Sequence, residues 1–322
     1  GLLKKKSASQ IQLLMAQTET YANLLLLIES YHGATLIDIE KTRARHLVNA
    51  RARAAYRESD LWDQFLVTGE ERIVNDSDPS RLFVPFAGTT SAATDVTSIK
   101  AGDIDTVLRA HDQNPFAVNS AREFEVFMGK DGVELPGYKV TYGAETGVTG
   151  LTGGSPNFQF LTAQKRDAIK GGTISVADVV TSNGTATDAL VNDTHTLTNV
   201  TYLTDSQTYL DFSLATTISG VNLSSAKIKF PVVFLTYKRR LTEVYGDQVG
   251  DTTSLPMEWK DYIALGVFAD MLASDGFVEK SLAMEARAAK ALQIELERIA
   301  HQFVNHRVRT HGSDQARQTT HM

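Results

Sequence analysis

The stretch Lys227-Ile-Lys-Phe-Pro-Val-Val-Phe234 decides how the rest of the chain is read. Ile228, Phe230, Val232 and Phe234 fall on alternate positions, with Lys227, Lys229 and Pro231 between them. A period of two marks a half-buried β-strand, with the four apolar side chains inward and the other three outward. Pro231 has no N–H to donate to a ladder, so the strand is expected at a sheet edge or at a bulge. Moving outward, Gln207 to Leu214 repeats the pattern, with Leu210, Phe212 and Leu214 against Asp211 and Ser213, and Tyr138 to Tyr142 also alternates. Ser182-Asn-Gly-Thr185 and Lys130-Asp-Gly-Val133 are turn signals between such runs. Gly, Thr, Ser and Asn accumulate across 76–250, and short strands divided by turns imply an antiparallel sandwich or barrel. No strand–helix alternation points to a doubly wound sheet.

The flanks change period. Ile11, Leu14, Met15, Tyr21, Ala22, Leu25 and Ile28 follow the three-and-four spacing of an amphipathic helix, which should stop at His32-Gly33, where glycine can take a left-handed C-cap. A second helix is expected from Asp38 as N-cap, with Ala44, Leu47, Val48 and Ala55 on one stripe. Arg43, Arg45, Arg51 and Arg53 flank that stripe, and Trp62, Phe65 and Leu66 anchor its end. After the strands, Pro256 suits a first helical turn behind Ser254, and Trp259, Tyr262, Ile263, Gly266, Val267 and Met271 form a stripe. Asp275-Gly276 breaks the chain before a long helix with Val278, Leu282, Ala286, Ala289, Gln293, Leu296, Ile299 and Phe303 on its expected buried face. Its alanines allow close helix approach. The fold class is therefore α+β: N- and C-terminal helices forming one bundle, with a large inserted antiparallel β domain. The expected divisions are 1–75 and 251–305 for the bundle, 76–250 for the insert and 306–322 for an extended, partner-ordered tail.

Composition narrows the chemistry. The chain of 322 residues contains no cysteine, which removes disulfides, thiolate metal sites and a cysteine nucleophile. No run approaches the ~18 apolar residues of a membrane span, so no membrane insertion is expected. Lys4, Lys5 and Lys6 are followed by Ser7, Ser9, Gln10 and Gln12 rather than the apolar core of a signal peptide. Asn183, Asn192, Asn199 and Asn222 head Asn-x-Ser/Thr triplets, read as a by-product of Thr-rich strands. The net charge of −6 is unevenly spread. Residues 171–226 hold no Lys or Arg but contain Asp178, Asp188, Asp193, Asp205 and Asp211, whereas Arg298, Arg307, Arg309 and Arg317 oppose only Asp314 near the end.

Catalytic patterns are missing. Thr149-Gly-Leu-Thr-Gly-Gly154 lacks the Lys-Ser/Thr of a phosphate loop and is read as a flexible loop. His301, His306 and His311 stand five apart, which turns them to different faces of a helix, so no metal set is expected. No Gly-x-Ser-x-Gly elbow occurs. Glu70-Glu71 and Asp103/Asp105 supply the carboxylate pair a glycoside hydrolase requires, without a surrounding cleft pattern. The basic tail, without interleaved aromatics, is a weak nucleic-acid signal. No enzyme activity and no cofactor are expected.

The stretch Ala44-Arg-His-Leu-Val-Asn-Ala-Arg-Ala-Arg-Ala-Ala-Tyr56, followed by Leu61-Trp62, resembles the helix pair that opens head–tail connector (portal adaptor or neck) proteins of tailed bacteriophages. Phe234-Leu-Thr-Tyr-Lys-Arg-Arg240, Leu255-Pro-Met-Glu-Trp259 and Ala264-Leu-Gly-Val-Phe-Ala-Asp-Met-Leu272, running into the Ala-rich helix, resemble the closing segment of that family. The two matches cover under half the chain, and the strand-rich insert is larger than in compact adaptors, which leaves room for another neck or tail-tube role. The resemblance implies a homo-oligomeric ring, commonly dodecameric, in the virion neck, assembled in the host cytoplasm. Such a ring joins the portal to a tail or nozzle protein and lets double-stranded DNA pass. It also implies a C-terminal portal-docking tail, here carrying Arg307, Arg309 and Arg317. Asp188, Asp193, Asp205 and Asp211 are candidates for an acidic lumen or exterior face, since an acidic lumen repels phosphates and lets DNA slide. A virion-associated glycan hydrolase and a DNA-binding regulator are the competing classes.

Overall fold

The computed structural model describes residues 18–76, 78, 80–85, 104–117, 121–129, 132–152, 157–163, 171–181, 193–204, 207–213, 221–222, 226–244 and 254–318. In chain order the elements begin with β1 (Thr18–Thr20), α1 (Tyr21–His32) and α2 (Asp38–Glu58). The strands β2 (Leu66–Ile73), β3 (Phe83–Pro85), β4 (Ile104–His111), β5 (Glu123–Phe124), β6 (Phe127–Met128), β7 (Gly132–Glu134) and β8 (Thr141–Tyr142) follow. Next come β9 (Thr146–Thr152), β10 (Asn157–Ala163), β11 (Thr173–Ala177), β12 (Val180–Thr181), β13 (Thr194–Thr204) and β14 (Gln207–Ser213). The chain closes with β15 (Val221–Asn222), β16 (Lys227–Lys229), β17 (Pro231–Arg239), β18 (Ser254–Pro256), a 3-10 turn (Met257–Trp259), α3 (Lys260–Ser274) and α4 (Val278–Gln318). Among the described residues the fold is thus mixed, with four α-helices and antiparallel sheets that include a six-stranded barrel. Two compact units divide it: Gly1–Leu66 with Leu241–Met322, and Val67–Arg240. The unit edges fall about ten residues before the expected 75/76 and 250/251, because β2 and β17 already carry the sheet pattern up to both edges.

In the helical unit one apolar cluster draws on both chain ends. Tyr21, Leu24 and Ile28 of α1, Ala44, Val48, Ala52 and Ala55 of α2, Trp259, Ile263 and Val267 near α3, and Ala288, Leu292 and Ile299 of α4 all belong to it. Trp62 meets Trp259 edge-on, with ring centroids 5.2 Å apart, and Phe65 stacks on Trp259 at 5.5 Å. Asn49 joins the ends through polar contacts: its Nδ2 donates to the Val244 carbonyl and its Oδ1 accepts from the Val244 N–H, both at 2.9 Å. These bonds satisfy a buried amide on both sides.

Several expectations are corrected here. Residues 18–20 form a strand paired with 254–256, so the first helix starts at Tyr21 under the Thr20 cap, and Pro256 ends a strand and caps the 3-10 turn that leads into α3, one turn earlier than an α-helical first turn. Ile11, Leu14 and Met15 lie outside the described residues. Ile37, not Asp38, is the N-cap of α2, and its N–H donates to Glu40 Oε2 at 2.9 Å. Gly33, at φ 80°, and Gly276, at φ 86°, take the left-handed conformation at the two expected helix breaks. The expected buried stripe of α4 is wrong for its first four turns. Val278, Leu282, Ala286, Ala289 and Gln293 are exposed, while Ala288, Leu292 and Ile299 face the core. The helix also continues to Gln318, so residues 306–318 carry helical rather than extended backbone; Arg, Gln and Ala favour this state.

In the second unit the barrel runs β10-β14-β13-β11-β16-β9 and closes on itself. Phe160, Ile174, Leu197, Val200, Leu210, Phe212 and Ile228 fill its interior from alternate positions. A five-stranded sheet has the order β2-β17-β4-β5, with β8 also on β17, and β3-β7-β6 form a third sheet. The Lys227–Phe234 run splits at Phe230: β16 belongs to the barrel and β17 to the sheet. Pro231 is buried rather than outward, and β17 lies inside its sheet rather than at an edge. The strand does carry the expected alternative, a bulge, since its register against β4 shifts at Thr236/Tyr237 and Lys238/Arg239. The missing N–H falls where the chain leaves one ladder for the other, and the Pro231 carbonyl still accepts the Val74 N–H at 2.8 Å. Val232 packs into the barrel-side cluster and Val233 into a second cluster with Leu235, Tyr237, Val74 and Ile104. With both faces covered, β17 is the wall between two cores.

Smaller readings also shift. Only Thr141–Tyr142 of the 138–142 run is strand; Tyr138 turns inward, and its hydroxyl donates to the Val232 carbonyl. Thr149–Thr152 belongs to β9 instead of a loop. The hairpin β6–β7 spans the Lys130-Asp-Gly-Val133 turn signal, of which Lys130 and Asp131 lie outside the described residues, as do Ser182–Thr185.

Candidate functional site

The residues singled out from the sequence do not converge. Asp188 and Asp205 lie outside the described residues. Asp193 is exposed at the start of β13, where its carboxylate accepts from the Thr194 N–H at 2.7 Å. Asp211 stands in β14 between Gln159 and Asn199, which pair with it in register from the two neighbouring strands. Its oxygens accept from Gln159 Nε2 at 2.7 Å and Asn199 Nδ2 at 3.1 Å, so amide donors offset much of its charge. Arg307, Arg309 and Arg317 stand on the distal part of α4. Glu70 and Glu71 are neighbours in one strand and point to opposite faces. Glu70 accepts the Tyr237 hydroxyl at 2.6 Å and pairs with Arg72 at 3.2 Å. Asp103 lies outside the described residues, and no group of His, Asp or Glu suited to a metal ion occurs among those described. No described helix is long and apolar enough to cross a membrane.

Two ion clusters stand out, a half-buried one in the helical unit and one around the buried Arg72 in the other. Arg51 on α2 bonds Asp270 of α3 through Nε (3.0 Å) and Nη2 (2.7 Å), and Glu285 of α4 through Nη1 (2.7 Å) and Nη2 (2.6 Å). Burial alone would pull the guanidinium down, but the hydrogen bonds to Glu285 and Asp270 outweigh it and hold its pKa above the ordinary arginine value. One side chain thus ties three helices. Gly266 of α3 makes this possible, since a Cβ there would stand 2.9 Å from Arg51 Nε. In the second unit Arg72, 1% exposed, donates to Tyr237, whose hydroxyl passes to Glu70. The four Arg51 bonds fix the geometry of the three helices that they join.

Two grooves lie on the β-rich unit among the described residues. An open groove of about 570 Å³ lies over Val107, Arg109, Glu123, Phe124 and Phe127, and a smaller one of about 230 Å³ over Arg81, Phe127, Glu134 and Tyr138. In the smaller one Arg81 pairs with Glu134 at 2.7 Å. Exposed apolar side chains are more informative: Ile37, Ile39, Phe277, Val278 and Leu282 are all more than half exposed. They occupy the ends of α1–α2 and α3–α4 connections in the helical unit. Sequence periodicity missed the α4 members by assigning them inward; the signal that selects the other face is Glu285, whose partner Arg51 is 234 positions away. No family model, curated protein or solved structure matches this chain.

Proposed function

We propose that this chain is a structural subunit of a tailed-phage virion, an adaptor ring in the neck that joins the portal to the tail and forms part of the DNA channel. The observation that carries the reading is the helical unit drawn from both chain ends. Its core takes residues from 44–62 and from the 255–272 part of the closing segment, while 234–240 lies in the other unit, where β17 runs to Arg239. Its surface leaves Ile39, Val278 and Leu282 in water. In this reading the end helices form a single bundle, and neighbouring copies cover its apolar surface. Large exposed apolar side chains of this sort mark assembly surfaces. The basic α4 terminus docks on the portal, where many weak copies gain strength through avidity. The reading gives the chain no catalytic role and no cofactor.

The test is negative-stain imaging and mass photometry of the purified chain with a portal protein of its phage. Stoichiometric rings seated on the portal are expected. A chain that stays monomeric beside the portal, and binds none, refutes the reading.

A further inference from the structure

We infer that the sheet edge at 123–128 receives an extended segment of another protein, added as an antiparallel strand with a lysine or arginine opposite Glu125. The inference goes beyond the ring reading and does not rest on it.

The segment borders two sheets at once. β5 ends the five-stranded sheet and β6 ends the three-stranded one, so residues 123–128 form an edge of both. The Asp112 N–H donates to the Arg122 carbonyl at 3.2 Å, which makes these two a bonded pair and the next pair, His111 and Glu123, a non-bonded one. The Glu123 N–H and carbonyl therefore point away from β4. Glu125 and Val126 belong to neither ladder, and no described residue bonds their backbone groups. An added strand is the partner that such a row of donors and acceptors fits. Two other edges of these sheets are guarded. Phe116 lies against β2 at Gly69, its Cε2 2.8 Å from where a Cβ would stand, and β3 ends in Pro85. Neither lysine nor proline guards 123–128, where Phe127 and Met128 are 58% and 43% exposed.

The side chains define the occupant. Glu123 stands 3.9 Å from Arg109, and Arg122 is exposed beside it, so charge at that end is already balanced. Glu125 is exposed, and no described residue pairs with it. Phe127, two positions further, walls the groove of about 570 Å³ together with Val107 and Phe124. A cation opposite Glu125 and an apolar side chain opposite Phe127 complement both features, since directly opposed residues of neighbouring strands interact most strongly. A second copy does not fit. Antiparallel self-pairing through Glu123 and Glu125 places a glutamate opposite a glutamate in every register, and like charges so opposed destabilise the pair. The edge is thus closed to its own kind and open to a basic strand.

Fluorescence anisotropy of the full chain with the labelled peptide Thr-Ile-Thr-Lys-Thr-Val-Thr tests this, its isoleucine, lysine and valine placed to face Phe127, Glu125 and Glu123. Saturable binding with a Kd of roughly 1 mM or tighter is expected. Glutamate in place of the peptide lysine should weaken binding about 5-fold or more, and Glu125→Lys, at an exposed position, should reverse that preference. N-methylation of the lysine and valine amides, which face the bonding groups of Glu125 and Glu123, should abolish binding, whereas N-methylation of the two threonines flanking the lysine should not. Absence of saturable binding, no reversal by Glu125→Lys, or equal loss in both methylated peptides overturns the inference. Wild-type oligomers that Phe127→Ser dissociates in sedimentation show a second copy on this edge and also overturn it. Portal binding tests the ring reading separately from all of these outcomes.

Discussion

Glycine in the middle of a helix ordinarily weakens it, and replacing Gly266 of α3 with alanine should gain about 1 kcal/mol from helix propensity alone. The structure reverses that sign. A Cβ at 266 would stand 2.9, 3.0 and 3.1 Å from Arg51 Nε, Cζ and Cδ. Arg51 cannot swing aside freely, because four hydrogen bonds of 2.6–3.0 Å hold it to Asp270 and Glu285. Hydrogen bonds to charged groups contribute about 1.5–3 kcal/mol each when buried. Asp270 and Glu285 are 34% and 41% exposed, so water recovers much of the loss if the guanidinium is displaced. A net destabilisation of about 2 kcal/mol remains for Gly266→Ala after the propensity gain. The chain's two tryptophans, Trp62 and Trp259, both lie in the helical core, so tryptophan fluorescence during urea unfolding reports this unit alone. In an Arg51→Ala background the clash is absent, and Gly266→Ala should then stabilise by about 1 kcal/mol. Stabilisation of the wild-type background by Gly266→Ala would refute the argument that the Arg51 clamp dictates glycine at this position.

Further outcomes follow from the same contacts. Asn49→Ala leaves the buried Val244 N–H and carbonyl without their partner, and tryptophan-monitored unfolding should show a loss of about 2 kcal/mol. Tyr237→Phe removes the hydroxyl between Arg72 and Glu70; calorimetry should show the β-unit transition falling by several degrees while the tryptophan transition holds. Leu235→Ala opens a cavity beside β17 and should cost about 2–4 kcal/mol in the same calorimetric transition. Hydrogen bonds from Lys227 and then Lys229 hold the Glu145 carboxyl below the ordinary carboxylate range. Their contribution is therefore full above the unfolded value of 4.5 and is lost as pH falls through the lower folded value. Glu145→Gln should flatten that acid slope in urea titrations followed by circular dichroism, and an unchanged slope would show that the ion pairs carry no stability.

The α4 helix shows most sharply where sequence reading stops. Ala283, Ala286, Ala288, Ala289 and Ala291 give several of its faces nearly equal hydrophobicity, so a three-and-four stripe through Val278 and Leu282 reads as well as one through Ala288, Leu292 and Ile299. Only the Arg51–Glu285 contact and the α3 surface distinguish the two, and both are non-local. Pro231 carries a similar lesson. Its missing N–H was a sound reason to expect an interrupted ladder, but whether the interruption is an edge or a crossing between sheets depends on where β8 and β2 lie.

By itself the sequence determined the things that local periodicity encodes. The alternation of Leu210 and Phe212 became an inward barrel row, the Trp259–Met271 stripe became buried, and Gly33 and Gly276 ended helices through their positive φ. Tertiary structure alone decided that six strands close into a barrel, that β17 separates two cores, and which side of α4 remains in water. Periodicity is a property of neighbours along the chain and sets which residues share a face. The element that face meets is chosen by competition among distant surfaces, and it is this choice that leaves Val278 and Leu282 exposed.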